Sequence, residues 1–364
     1  MPEYSSKIKE LEDRIANTKY NKKTQAAIGQ YKAQIAKLKE KEESRGKGTG
    51  GGGGWEVRKT GDGTVILLGF PSAGKSTLLN TLTGAKSETG NYAFTTLTCI
   101  PGVMQYKYAN IQILDVPGIV KGAASGRGRG REVLASMRSA DVCLILLDAT
   151  RPQEYDVIVK EIYDTHIRLN QRKPDVKIRK TGKDGIRIGA TVRLTHLDNE
   201  TITSVLKEFK INNADVVIRE DITIDQLIDC IEGNKKYMPA ITVVNKKDLV
   251  APEKLKEVMK KYGGDLAISA AKNEGIDKLR ELIYQKLNII SVYLKEPGYE
   301  ADMKEPLIVF RDWTIRQICR KLHKDFVDKF KFARIWGPSA KFDGQKVMLK
   351  HVVKDQDVLE IHLR

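Results

Sequence analysis

An apolar run, Val65-Ile66-Leu67-Leu68, leads straight into Gly69-Phe70-Pro71-Ser72-Ala73-Gly74-Lys75-Ser76, which satisfies the pattern GxxxxGK[ST] in full. Few folds accommodate that junction. A strand whose side chains are all apolar belongs in a parallel sheet covered on both faces. The glycines then allow a loop tight enough for backbone N–H groups to surround phosphate oxygens. A helix beginning at the end of the loop turns its positive pole toward the same oxygens. Lys75 is expected to reach the β- and γ-phosphates, and Ser76 to ligate Mg²⁺. Gly69, Pro71, Ser72, Ala73, Gly74 and Thr77 make up the rest of the expected cradle.

Three further motifs follow in working order. The apolar run 111–114 ends in Asp115-Val116-Pro117-Gly118. Asp115 is expected to hold Mg²⁺ through water, and the Gly118 N–H to face the γ-phosphate. Between this element and the loop lies Phe94-Thr95-Thr96, where a first switch segment belongs. A threonine hydroxyl there, Thr96 in preference to Thr95, should meet Mg²⁺ only when a γ-phosphate is present. Asn245-Lys246-Lys247-Asp248 then selects the base. An ionised carboxylate accepts two hydrogen bonds in one plane, and guanine offers N1–H and N2–H₂ side by side where adenine does not. Asp248 is thus the guanine reader, Asn245 ties its loop to its neighbours, and the Lys246 stem covers the base plane. Ser269-Ala270-Ala271 completes the set, with the Ala270 N–H available to guanine O6.

At 364 residues the chain is too long for one core. Strands are expected at 103–108, 111–114, 142–147, 241–244 and 266–268, with helical patterns between several of them. That alternation predicts an α/β, doubly wound nucleotide-binding sheet. Asp148 and Asn245 lie 97 positions apart (245 − 148), whereas one strand–helix–strand unit needs about 30. An inserted α/β subdomain is therefore expected at about 160–236, with a strand at 185–194 and a helix at 224–231. Residues 5–43 predict two helices folded back near 17–24, one with an Ile8, Leu11, Ile15 stripe and the other with Ile28, Tyr31, Ile35, Leu38. The glycine-rich stretch 46–54 reads as a linker. The expected division is 1–54 for the hairpin and linker, 55–289 for the nucleotide domain with its insertion, and 290–364 for a small α+β or β-grasp module.

The formal charge of +16 favours an anionic partner, and an RNA-rich surface is the simplest one. Cys99, Cys143, Cys230 and Cys319 include no CxxC pair, which suits a reducing cytosol better than zinc ligation or a secreted setting. No apolar run approaches the roughly 20 residues that span a bilayer, and the start lacks signal-peptide features. The expectation is a cytoplasmic protein with no membrane association and no requirement for self-association.

These motifs closely resemble the developmentally regulated GTP-binding protein family, within the Obg-like group of GTPases. The likeness covers nearly the whole chain. It rests on 69–77, Tyr92-Ala93-Phe94-Thr95-Thr96-Leu97-Thr98, 115–118, Gly126-Arg127-Gly128-Arg129-Gly130-Arg131, Asn212-Asn213-Ala214-Asp215 and Trp336-Gly337-Pro338-Ser339. The resemblance implies a helical N-terminal domain, a ribosomal-protein-like insertion and a C-terminal TGS domain with the β-grasp fold. It also implies association with ribosomes and translation, and in eukaryotic members a stabilising partner protein.

Ile119 follows Gly118, where Ras-like enzymes place the glutamine that orients water; the Obg-like group shares the apolar residue. Hydrolysis is thus expected to rely on backbone groups, a K⁺ ion or a partner. Ser72 stands where some potassium-stimulated relatives carry asparagine. Arg127, Arg129 and Arg131 have three open roles: neutralising transition-state charge, meeting rRNA phosphate, or simply being solvated. The expected activity is Mg²⁺-dependent phosphoryl transfer from GTP to water, with Lys75, Thr96 and Gly118 around the γ-phosphate and GTP or GDP as the bound nucleotide. The rival readings are an ATPase or nucleotide kinase, and a protein that binds RNA or ribosomes under nucleotide control with negligible hydrolysis.

Overall fold

The computed structural model describes residues 2–45, 61–84, 100–115 and 137–364. The glycine-rich stretch 46–54 lies outside them. Strands are β1 (Gly63–Leu68), β2 (Ile100–Tyr106), β3 (Ala109–Asp115) and β4 (Val142–Asp148), then β5 (Ile167–Leu169), β6 (Val176–Lys180), β7 (Ile186–Ala190) and β8 (Ala214–Ile218). They continue as β9 (Lys236–Met238), β10 (Ala240–Asn245) and β11 (Leu266–Ala267), and finally β12 (Ile289–Lys295), β13 (Leu307–Phe310), β14 (Phe330–Trp336), β15 (Gln345–Val347) and β16 (Val358–Leu363). The described residues group into two compact units.

One unit contains a six-stranded sheet in the order β11-β10-β4-β1-β3-β2. All its neighbours pair in parallel except the β2–β3 hairpin. Every residue of β1, β4 and β10 is buried, which is what their unbroken apolar runs require. Leu78, Leu79 and Leu82 of the helix Lys75–Thr83 join Leu279, Ile283 and Leu287 of the helix Ile276–Leu287 in one core cluster. A separate cluster sets Val258 and Tyr262 of the helix Pro252–Tyr262 against Leu147 and Val244. Helices thus cover both sides, as in a doubly wound fold. From β1 the chain goes to β3 on one side and to β4 on the other. In open α/β sheets, ligands bind beyond the carboxyl ends of the strands at such a reversal.

The same unit holds the C-terminal sheet, ordered β13-β12-β16-β14-β15. A capping box from Thr314 and Gln317 starts the helix Ile315–Leu322. Its Ile315, Ile318 and Cys319 pack with Ala333, Ile335 and Leu359 of the sheet. Strand β12 is absent from the sequence pattern. Asn288 caps the preceding helix with φ 54° and turns the chain into β12 at once, so a single residue marks the boundary.

In the other unit, β6, β8 and β7 form a three-stranded sheet, antiparallel on one side of β8 and parallel on the other. The helices Asn199–Glu208 and Ile224–Glu232 supply Ile202, Val205, Leu206, Leu227 and Ile228 to its core. β6, β8 and the first of these helices go beyond the elements expected from sequence. In β6 only Val176 and Ile178 are apolar, alternating with Lys177 and Arg179, and the run is too short for the period to stand out. The N-terminal helices Pro2–Asn17 and Lys22–Arg45 form the expected hairpin. The second one packs through smaller residues than its Tyr31/Leu38 stripe suggests. Ile28 and Ala33 are buried in the same core, and a Cβ on Gly29 would stand 3.0 Å from Val205 Cγ2.

Candidate functional site

Backbone shape comes first. Gly69 leaves β1 so close to β4 that a Cβ there would lie 2.7 Å from the Leu146 carbonyl oxygen. Gly74 adopts φ 95°, and its Cβ would fall 2.4 Å from Asn245 Nδ2. The two glycines are therefore demanded by close approach and by a left-handed backbone. Gly74 is the N-cap of the helix Lys75–Thr83, and among the described residues no side chain caps that end. Its first-turn N–H groups, the orphan donors of any helix, are left to whatever anion sits in the loop. Lys75 Nζ donates to the Gly69 and Phe70 carbonyl oxygens at 3.0 and 3.1 Å, arched back over the loop.

Asp115 closes β3 beside this loop, paired in register with Leu67 of β1. It is buried, and its Oδ1 has no hydrogen-bond partner among the described residues. Burial pushes its carboxyl above the ordinary range, against the opposing pull of the Lys75 charge. Burial likewise pushes the Lys75 ammonium down, with the Asp115 charge opposing. A buried carboxylate oxygen without a donor is the chemistry a hydrated cation satisfies. Ser76, at the mouth of the same loop, is exposed. Together the two residues fit a Mg²⁺ ion that takes most of its ligands from water and phosphate.

On the opposite side, β10 ends in Asn245, which is 2% exposed. Its Nδ2 donates to the Ala73 carbonyl oxygen at 2.9 Å, and its Oδ1 accepts the Ala270 N–H at 3.0 Å. One side chain thus ties the phosphate loop, the NKKD segment and the Ser269-Ala270-Ala271 turn together. The Ala270 N–H, expected to face guanine O6, donates here to Asn245 and so also braces that side chain. Lys246, at φ 61°, donates to the Ser72 carbonyl oxygen at 2.8 Å and to Asp148 Oδ2 at 2.7 Å. Asp248 lies 3.7 Å from Lys272 Nζ. A hydrogen bond from Ser269, the largest influence, holds its carboxyl below the ordinary range. Ser269 is fully buried, and its N–H and carbonyl oxygen pair with Glu274.

Asp148 joins the site without belonging to any of the sequence motifs. It ends β4, opposite Asn245 in the register, and its side chain is fully buried. Burial alone would raise its carboxyl, yet hydrogen bonds from Lys246 and Thr150 bring it below the ordinary range. The sequence does carry the signal, an acidic residue closing the apolar run Val142-Cys143-Leu144-Ile145-Leu146-Leu147.

The structure therefore brings Gly69, Ser72, Ala73, Gly74, Lys75, Asp115, Asn245 and Lys246 into one cleft at the carboxyl ends of β1, β3, β4 and β10, with Asp248, Ser269 and Ala270 at its rim. Thr95, Thr96, Gly118, Ile119, Arg127, Arg129 and Arg131 lie outside the described residues.

The pattern of the 50S ribosome-binding GTPase family matches residues 64–180, that of the C-terminal region of the same domain 183–289, and that of the TGS domain 290–363. An uncharacterized GTP-binding protein of Methanocaldococcus jannaschii is 51% identical, over 98% of this chain and 92% of the relative. Developmentally-regulated G-protein 3 of Arabidopsis thaliana is 43% identical, over 98% of this chain and 97% of its own length. Ribosome-interacting GTPase 1 of Saccharomyces cerevisiae is 42% identical, over 98% of both. With such identity along almost its entire length, and with a phosphate loop, a base-reading segment and a TGS domain in order, this chain belongs to the developmentally regulated GTP-binding protein family of GTPases.

Proposed function

We propose that the cleft binds GTP with its triphosphate at Gly69–Ser76 and Thr77 and its guanine at Asp248, and that the bound nucleotide switches affinity for a ribosomal RNA surface. The observation that carries this reading is the double hydrogen bond of Asn245, which couples phosphate loop and base loop in one rigid frame. Asp248, held ionised, accepts from guanine N1–H and N2–H₂. Against adenine it meets no donor pair, and a site built for hydrogen bonding discriminates strongly in that situation. The Lys246 stem is anchored at Asp148 and Ser72, where it would cover the plane of a base held by Asp248.

Ser76 and Asp115 would hold Mg²⁺, with Thr96 joining in the triphosphate state, and the ion would neutralise phosphate charge. Lys75 exchanges the loop carbonyls for the β- and γ-phosphates, and the Gly118 N–H meets the γ-phosphate. Water attacks in line, without a glutamine, since Ile119 occupies that position. Intrinsic turnover should be slow, about 10⁻⁴–10⁻² s⁻¹ by GTPase precedent. K⁺ or a partner protein supplies stimulation.

Ribosome association is supported by the name of the yeast relative, by the description of the matching family and by the charge of +16. Among the described residues no helix is long and apolar enough to cross a membrane, and we place the protein in the cytoplasm. The division at 54 and 289, with the insertion at about 160–236, belongs to the same proposal. Co-sedimentation with ribosomes, in GDP and in a nonhydrolysable GTP analogue, tests it. Recovery that differs between nucleotides supports the switch, and equal recovery in both contradicts it. Single-turnover assays with K⁺, Na⁺ and ribosomes address hydrolysis; no stimulation in any of them favours a binding protein with negligible turnover.

A further inference from the structure

The C-terminal sheet has two unlike faces. One side of β14, through Ala333 and Ile335, is buried with the helix Ile315–Leu322. The other carries Phe332, Arg334 and Trp336, which sit opposite His362, Glu360 and Val358 of β16. On that face the Phe332 and His362 rings stack with centroids 4.3 Å apart and planes inclined by 19°. Lys346 Nζ lies 4.3 Å from the Phe332 ring centre, and Lys295 Nζ 4.5 Å from that of Trp336. Arg334 stands opposite Lys346 in the register and is exposed, as is Lys346. Glu360, the one carboxylate among these residues, is 5% exposed and occupied by His362 Nε2 at 2.6 Å and Lys295 at 3.5 Å.

A cross-strand aromatic pair steadies a sheet by a modest amount. That accounts for Phe332 and His362 as neighbours, but not for the cations arrayed around them. Rings with interleaved Lys and Arg on an outward sheet face suit a single-stranded nucleic acid, whose bases stack on the rings while its phosphates meet the cations. The pairing of β12 with β16 stops at Lys295 and Glu360, two residues short of His362. Among the described residues no strand pairs with His362 on the side away from Phe332, and the His362 side chain is partly exposed. A duplex hides its base faces, and an acidic peptide uses the cations but not the rings. Net charge points to the polyanion.

We propose that this face is a stacking platform for unpaired bases of RNA, centred on Phe332 and His362, with Arg334, Lys346 and Lys295 contacting phosphates. It rests on the reading of the protein as RNA-associated and names the surface and the kind of RNA. The test uses the full chain and a short oligoadenylate carrying 2-aminopurine, free and annealed to its complement. The single strand should bind more tightly than the duplex, with fluorescence quenched by stacking. Phe332→Ala should weaken single-strand binding roughly five- to hundredfold, and His362→Gln, whose fold is less at risk, should reduce the quench. Lys346→Gln should lower the slope of log affinity against log salt by about 1. GTP turnover should be unchanged in all three. Equal binding of duplex and single strand, unaltered binding by Phe332→Ala and His362→Gln, or displacement of the RNA by polyglutamate at equal charge would each overturn the platform. Ribosome co-sedimentation separates the two readings. A wild-type protein that stacks the oligonucleotide but ignores ribosomes leaves the platform standing and removes the ribosomal role; the reverse outcome removes only the platform.

Discussion

Asn245 Nδ2 donates to the Ala73 carbonyl oxygen at 2.9 Å, joining the end of β10 to the middle of the phosphate loop. Because Oδ1 of the same side chain accepts from Ala270, the bond sets the distance between the phosphate end of the cleft and its base end. Asn245→Ala leaves a buried N–H and a buried carbonyl unpaired. Denaturant titration should show a loss of about 1–3 kcal/mol, and GTP affinity should fall at least about tenfold. Pyrophosphate affinity should fall less, since the loop's own N–H groups remain.

Gly74→Ala forces a Cβ to within 2.4 Å of an amide that is itself held on both sides, at φ 95°. The left-handed backbone alone costs a non-glycine residue about 1–2 kcal/mol. Thermal melts should show that loss, and the Gly74→Ala protein should fail to retain nucleotide on gel filtration.

Asp148→Asn tests the residue that sequence motifs do not single out. Lys246 loses its charged partner while Asn245 and the phosphate loop stay intact. GTP should bind roughly tenfold more weakly, the effect of about one charge-assisted hydrogen bond, and the affinity for inorganic triphosphate should be unchanged. Calorimetric titration of both ligands distinguishes this from general damage to the loop.

The two buried carboxylates of the cleft should respond to pH with opposite signs. Asp115 has its carboxyl raised by burial, so its contribution to the nucleotide-free fold is fully present below the ordinary carboxylate range and is lost as pH rises through the raised value. Asp115→Asn should therefore increase the melting temperature of the nucleotide-free protein at neutral pH while lowering Mg²⁺-dependent GTP binding. For Asp148 the hydrogen bonds from Lys246 and Thr150 outweigh burial and depress the carboxyl. Its contribution is present above the ordinary range and is lost as pH falls through the depressed value. Melts of Asp148→Asn against wild type should converge on acidification and separate near neutrality. Mg²⁺ removal by chelation should weaken GTP more than GDP, since the γ-phosphate adds charge that the ion neutralises.

The central sheet is legible in the sequence because unbroken apolar strands such as Val65–Leu68 have few alternatives once a GxxxxGK[ST] loop follows. The insertion is legible as an α/β interval with one strand and one helix, and its remaining elements are not. β6 alternates Val176 and Ile178 with Lys177 and Arg179, but over five residues in a basic stretch the period is too short to stand out. The helix Asn199–Glu208 begins at an Asp198 N-cap, a signal present in the sequence but easily read as a turn. In the cleft, motif residues are visible because their spacing is fixed by the nucleotide. Asp148 shows in the sequence only as the acid closing the run Val142–Leu147; that it meets Lys246, and that Ala270 braces Asn245, depends on strand ends 97 positions apart (245 − 148) lying side by side and on a side chain reaching across from β10. No local spacing encodes such a meeting.

The central claim is that a fixed negative charge at Asp248 identifies the purine whose phosphates Lys75 holds. Equilibrium titration of wild type and Asp248→Asn with GTP, ATP and XTP addresses it directly. Wild type should prefer GTP to ATP by at least about a thousandfold, in the range of sites that lose a buried hydrogen-bond pair, and Asp248→Asn should give up GTP and take XTP, because donor and acceptor exchange places. Equal affinity of the wild type for ATP and GTP, or an Asp248→Asn protein that still prefers GTP to XTP, would contradict the account.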